Sequence, residues 1–282
     1  MAVTKGLPEP DVNARLFGAR RIPALTDDGL FEAVGVRIAF SGREGGVSDP
    51  PYDSLNLGSH VGDDPSRVRE NRLMLLESLD AADASLVVPS QVHGDVLIDL
   101  TSGDADSVSS SRTRAEAGAD GLVVTVPQVA ALLCFADCVP VIIVSPTGRF
   151  AVVHAGWRGA VGGIAGKAAR RLTLLDGDGA TQGAASSYNA YLGPHIHGEC
   201  FETGEDVRAR FVERFGRDVA PDGRHVDLAA AVGQDLAEAG LRRERIADVN
   251  VCTSCEAEDY FSYRASGGRC GRQGALAVRF GR

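Results

Sequence analysis

Short apolar runs set off by turn residues dominate the chain. The run Val139–Val144 and the stretch 149–153 are rich in β-branched residues, and Ser145-Pro146-Thr147-Gly148 separates them, so they read as two strands joined by a turn. An antiparallel pairing returns the end of the second strand to the start of the first. That would bring Cys138, just before the first strand, close to His154, just after the second. Val36, Ile38 and Phe40 alternate with Arg37 and Ala39 as in a half-buried strand. Strands are also predicted over 86–88, 96–100, 121–126 and 130–135. A late strand is expected at 250–253, and a closing hairpin or edge strand at 276–280.

Helical spacing takes over elsewhere. Val68, Leu75, Leu76 and Leu79 share one side of a helix predicted over 66–79, behind an Asp64 cap and Pro65. Small residues at helical spacing predict a helix over 159–175, directly after the hairpin. Val207, Phe211, Val212 and Phe215 mark another helix stopped by Gly216, and Leu228, Val232 and Leu236 mark one more after Asp227. Residues 101–118, rich in Ser, Asp and Arg, are predicted as an exposed loop, and residues 1–27 as a loosely held arm. With no internal repeat and no linker, the rest reads as one α/β domain over 28–282.

Composition narrows the function. The 282 residues are 44% hydrophobic and 24% charged, ordinary globular values, and a formal charge of −9 argues against a protein devoted to the phosphate backbone of nucleic acid. No stretch approaches the roughly 18 continuous apolar residues of a membrane helix, and the start lacks a secretory core, so a cytoplasmic protein without membrane contact is expected. Lys5 and Lys167 are the only lysines, which leaves the cationic work to arginine. Six cysteines are too few for a disulfide scaffold in a chain of this size, and clustered Cys and His then point to metal binding or catalysis.

His93, Cys138 and His154 each stand in a turn beside a strand. Two imidazoles and a thiolate make a good zinc set, with a fourth position left for water or substrate, and Asp137 could orient one of the ligands. A metal-free hydrolase, with Cys138 as nucleophile and His154 as base, fits the same residues. So does a bland reading, in which the cysteine is core and the histidines are surface turns. Arg43 and Arg158, in Gly-containing turns, are candidate anion contacts. Cys252-Thr253-Ser254-Cys255 has no second CxxC or His pair nearby, so no separate metal or redox site is expected there. Cys200, with His195 and His197, is expected in a loop lining the pocket.

Seven motifs together carry a resemblance: SGREGGVS (41–48), SLNLGSHVGDD (54–64), QVHG (91–94), ADCVP (136–140), HAGWRG (154–159), GPHIHGECFE (193–202) and YFSYR (260–264). In this order, over about residues 36–280, the chain resembles the laccase-domain family, labelled multicopper polyphenol oxidase and also peptidoglycan editing factor. The resemblance implies a layered α/β sandwich with mixed sheets, related to toxin-type cysteine hydrolases. It further implies zinc-dependent phosphorolysis of adenosine, inosine, guanosine and methylthioadenosine, together with deamination of adenosine. The partners would be a purine nucleoside and phosphate; no pattern marks a self-association face. The implied metal ligands are His93, Cys138 and His154, Arg43 and Arg158 fall on the family's loop arginines, and Asn56 is grouped with them as a substrate contact. Ala136 stands where the family usually has Thr, and His195, His197 and Cys255 lie outside the family pattern. Two alternatives remain at this point: amide hydrolysis of a cell-wall precursor by the Cys–His pair, and a copper polyphenol oxidase, for which six histidines are few.

Overall fold

A computed structural model describes residues 6–176 and 184–281. The strands are β1 (Asn13–Phe17), β2 (Ile22–Thr26), β3 (Val36–Ser41), β4 (Ser85–Val87), β5 (Leu97–Leu100), β6 (Gly121–Val124), β7 (Val129–Phe135), β8 (Val139–Val144), β9 (Phe150–Ala155), β10 (Asn189–Leu192), β11 (Ile246–Asp248) and β12 (Gln273–Arg279). The helices are α1 (Asp28–Val34), α2 (Pro65–Ser78), α3 (Ala105–Glu116), α4 (Trp157–Val161), α5 (Ile164–Leu175), α6 (Glu205–Phe215) and α7 (Leu228–Glu238). One six-stranded sheet has the order β1-β2-β3-β12-β7-β4, and the other β11-β10-β8-β9-β6-β5. Both are mixed, since β4–β7, β10–β11 and β5–β6 pair in parallel and the other neighbours antiparallel.

Every residue of β7, β8 and β9 is buried, which is why these strands read as unbroken apolar runs. Alternate side chains still point to opposite faces. Val129, Ala131, Leu133 and Phe135 of β7 meet Ile142 and Val144 of β8 and Phe150 and Val152 of β9 between the sheets. Ala130, Leu132 and Cys134 face the other way, onto Met74, Leu75 and Leu76 of α2. On the far side Val141, Ile143 and Val153 pack on Ile164, Ala168 and Leu172 of α5 and Val232 and Leu236 of α7. The layers therefore run helix, sheet, sheet, helices, a mixed α/β sandwich as expected. No helix among the described residues is long and apolar enough to cross a membrane.

Several elements differ from expectation. The stretch read as a loose arm contains β1 and β2, a hairpin whose second strand pairs with β3, and Asp27 accepts the buried Tyr191 hydroxyl at 2.8 Å. Within 101–118, read as a loop, Asp104 caps α3 and Val108, Ser111 and Ala115 form its buried stripe; a serine in the stripe hides the apolar period. The helix expected over 159–175 is two, α4 and α5, separated at Gly162 and Gly163. Gly163 adopts φ +72°, open to glycine without strain, against the Asp235 carboxylate of α7. The late strand is β11, and only Cys252 of 250–253 bridges, to His195. β12 lies in the sheet's interior, between β3 and β7, and Gly274–Val278 are all buried. Apolarity on both faces marks an inner strand, which position in the sequence does not reveal.

Candidate functional site

The parity that sorts the core also places the chemistry. In the β8–β9 ladder Pro140 pairs with His154 and Val139 with Ala155. Cys138 continues the row of Ile142 and Val144, and His154 the row of Phe150 and Val152, so both enter the space between the sheets at one end. Phe135 at the end of β7 packs its ring 5.3 Å from that of His154. His93 arrives from the loop between β4 and β5, its ring 4.8 Å from the His154 ring and nearly perpendicular to it. Ligand atoms of His93, Cys138 and His154 all lie within 4.8 Å of one another. His154 is buried, Cys138 half-buried and His93 exposed, so the group opens to solvent on the His93 side.

A buried carboxylate organises this group. Asp120, directly before β6 and 0% exposed, faces the His154 Nδ1 at 2.8 Å. It also accepts the backbone N–H groups of Val92 (3.2 Å), His93 (2.9 Å) and Gly94 (2.7 Å). These bonds hold His93 at φ +59°. One anion thus fixes both imidazoles and leaves the Nε2 side of His154 for a ligand. Gln91 closes the loop by exchanging two 2.8 Å hydrogen bonds with the Cys134 backbone.

Gly156 leaves the room the group needs. A β-carbon there would lie 2.9 Å from His93 Cδ2, 3.3 Å from Cys138 Sγ and 3.5 Å from His154 Cε1. Its φ of −71° is open to any residue, so close approach and not backbone freedom demands glycine.

Burial pushes the Cys138 thiol up, but the charge and hydrogen bond of His154, then those of His93, outweigh it and bring the thiol down to about 6. Burial pushes the His154 imidazole down, and Cys138 and Asp120 outweigh that, raising it to about 9. The metal-free pair therefore rests as thiolate and imidazolium between those values. Burial also works against the Asp120 carboxyl, yet His154 and the N–H groups of Gly94 and Val92 hold it below the usual carboxylate value.

The group lines a cavity of about 350 Å³, within the usual range for small-molecule sites. His60, Phe201, Tyr263, Arg264 and Arg272 form other walls. Arg264 hangs from the Cys200 and Glu202 carbonyls at 3.0 and 2.9 Å. Arg272 donates through Nη1 to the Cys270 and Gly271 carbonyls. Neither arginine makes an ion pair among the described residues. A larger cavity of about 600 Å³, lined by His195, His197, Glu199 and Asp248, holds none of these groups.

Not every expected residue reaches the cavity. Asp137 lines it, but its carboxylate accepts Thr253 Oγ1 at 2.8 Å and the Arg264 N–H at 2.7 Å; the carboxylate that orients a histidine is Asp120. Arg43 lies in a separate cleft, bonded to the Asp53 and Ala257 carbonyls at 2.9 and 2.7 Å and stacked 4.8 Å from the Phe261 ring. Arg158 is exposed and covers the Trp157 ring at 4.3 Å. Asn56 is fully buried, with Oδ1 accepting the Arg272 N–H at 2.9 Å and Nδ2 donating to Asp63 at 2.8 Å, so it positions the Arg272 backbone. Phe201, not Cys200, reaches the cavity. Asp120, His60 and Arg272 were missed by sequence reasoning; the one available signal was Asp120 standing alone before an apolar strand, a charge that needs a partner if buried.

The donor set fits a zinc ion. Two nitrogens and one thiolate, poised within 4.8 Å of one another, need only a small contraction to reach bonds of about 2.0 to 2.3 Å, and the cavity supplies an open fourth position.

Comparisons with known proteins agree with this architecture. Residues 37–279 match the family model described as multi-copper polyphenol oxidoreductase laccase. The purine nucleoside phosphorylase YlmD of Geobacillus stearothermophilus is 35% identical over 249 residues, 84% of this chain and 88% of the relative. The purine nucleoside phosphorylase YfiH of Escherichia coli is 34% identical over 239 residues, 82% of this chain and 88% of the relative. Among solved structures, the hypothetical protein YfiH of Bacillus licheniformis superposes with a TM-score of 0.80 at 28% identity, covering 91% of this chain and 96% of that one. YlmD of Geobacillus stearothermophilus does so with a TM-score of 0.79 at 29% identity, covering 95% and 100%. With the match running from β3 through β12, the chain belongs to the multi-copper polyphenol oxidoreductase laccase family, the laccase-like family of YfiH and YlmD.

Proposed function

We propose that this chain is a zinc-dependent purine nucleoside phosphorylase, acting on adenosine, inosine, guanosine and methylthioadenosine and also deaminating adenosine. The observation that carries the reading is the convergence of His93, Cys138 and His154 on one cavity of about 350 Å³, in a chain whose relatives are named purine nucleoside phosphorylases. Held by these three residues, zinc would supply Lewis-acid polarisation or an activated water.

The remaining walls suit the substrates. Phosphorolysis needs phosphate aligned on the anomeric carbon as the bond to the purine loosens, so donors must hold the anion in place. Arg264 and Arg272 supply them, anchored through backbone carbonyls and without carboxylate partners among the described residues. Phe201 and Tyr263 offer aromatic faces for a purine ring. Asp120 keeps His154 oriented and closes its Nδ1 side.

The test is incubation of zinc-replete and chelated protein with adenosine and phosphate, with products separated by chromatography. Adenine and ribose-1-phosphate from the zinc-replete sample alone support the phosphorylase reading, and inosine supports deamination. Neither product from metal-loaded protein overturns both.

A second reading has its own observation. Cys138, His154 and Asp120 form a thiol, imidazole and carboxylate relay, the arrangement of a cysteine amidase acting on a peptidoglycan precursor. It fits the implied relation to toxin-type cysteine hydrolases. Amide hydrolysis that survives chelation and vanishes in Cys138→Ala would favour it. The copper oxidase reading lacks such support, because six histidines, only some of them at the cavity, fall short of a multicopper centre.

A further inference from the structure

A second thiol cluster lies behind one wall of the cavity. The Sγ atoms of Cys200, Cys252 and Cys255 are within 4.8 Å of one another, and those of Cys200 and Cys255 are 3.6 Å apart. All three are free thiols. Cys252 and Cys255 lie in the loop after β11, and Cys200 ends the short turn Gly198–Cys200, so the partner that the CxxC lacks in sequence arrives from 55 residues upstream of Cys255.

The spacing and surroundings suit a metal. With metal–sulfur bonds of about 2.3 Å, a tetrahedral site separates its sulfurs by about 3.8 Å. Cys252 Sγ also accepts the His197 N–H at 3.4 Å, which fixes its place in the cluster. The cluster is half-buried at Cys200, buried at Cys252 and exposed at Cys255, so an ion can enter from solvent.

We propose that Cys200, Cys252 and Cys255 form a second, thiolate-only metal site that takes a zinc-like divalent cation. The ion clamps the cavity wall. The Cys200 carbonyl accepts Arg264 Nη1, and Phe201 follows Cys200 into the cavity. Thr253, inside the CxxC, donates to Asp137 Oδ1, while Asp137 Oδ2 accepts the Arg264 N–H. One ion therefore joins the two segments from which Arg264 and Asp137 are held. The site is independent of the nucleoside reading; only the consequence for the cavity wall rests on it.

The test is anaerobic titration of the reduced, metal-free full chain with cobalt(II), followed by its sulfur-to-metal charge-transfer absorption. Wild-type protein should take two equivalents. His93→Ala/Cys138→Ala should take one, with about three times the charge-transfer intensity per ion shown by the one ion left in Cys200→Ser/Cys255→Ser, as three thiolates against one require. A single equivalent in wild type with only one-thiolate intensity overturns the proposal, and this arm needs no variant to fold. So does a Cys200–Cys255 disulfide in peptide maps of protein purified without oxygen, which would make the pair a redox element.

Discussion

Asp120 Oδ1 lies 2.8 Å from His154 Nδ1, and the same carboxylate collects the N–H groups of Val92, His93 and Gly94. Both histidines of the group thus depend on one buried anion. Asp120→Asn keeps the shape but turns an N–H₂ toward two of the four groups, either His154 Nδ1 and the His93 N–H or the Val92 and Gly94 N–H groups, whichever way the amide faces. Affinity for added zinc at the proposed site should fall about 10- to 100-fold, the usual cost of losing a partner behind a metal-bound histidine. Competition against a chromophoric chelator measures it, and unchanged affinity would show that Asp120 positions nothing.

Gly156→Ala tests the packing of the group. The added methyl would sit 2.9 Å from His93 Cδ2 and 3.3 Å from Cys138 Sγ, so one of them must shift. Overpacking costs about 1–3 kcal/mol, and the strain falls on the ligands rather than on the fold. Metal affinity and activity should drop together, with the midpoint of thermal unfolding lowered by only a few degrees. Unfolding of the whole domain with metal binding intact would contradict this.

The Cys138–His154 pair predicts a pH profile for the metal-free protein. With the thiol drawn down to about 6 and the imidazole raised to about 9, the thiolate form persists well below the usual cysteine range. Alkylation of Cys138 by iodoacetamide should rise through an inflection near 6, and His154→Ala should move that inflection upward. The associated stability has two edges: the cysteine contribution is lost as pH falls through about 6, and the histidine contribution as pH rises through about 9. Zinc should block the alkylation.

On the proposed phosphorylase reading, two arginines should separate in their effects. Arg43 holds the Asp53 and Ala257 carbonyls away from the cavity, so Arg43→Ala should lower the melting temperature and leave the KM for phosphate near its wild-type value. Arg272 lines the cavity, so Arg272→Ala should raise the KM for phosphate about 10- to 100-fold, the worth of a charge-assisted hydrogen bond of about 1.5–3 kcal/mol. Equal KM effects from both would move the anion site.

Much of the sandwich was legible because its core strands announce themselves. Val139–Val144 and its partner are short, β-branched and separated by a turn, and the β8–β9 ladder is the hairpin they describe. α3 was not legible, because Ser111 occupies its buried stripe, and neither was the inner position of β12, since nothing local says which neighbours a strand will find. Asp137 stands beside Cys138 in sequence and reads as a group that could orient one of the ligands. Its positive φ of 89° belongs to a tight turn in which its carboxylate holds Thr253 and Arg264 instead.

The meeting of Cys138 and His154 follows from the order of residues alone, because an antiparallel ladder and an alternation of two are local rules that leave little choice. The sequence also marks His93 by motif and turn. What surrounds them depends on how the layers pack. Asp120 reaches His154 across 34 residues, Arg264 reaches Asp137 across 127, and Cys200 meets Cys255 across 55. A buried charge or thiol leaves no periodic trace in the chain. Its partner is chosen by which loops the packed sheets bring to the same end, and that choice is made by the whole core.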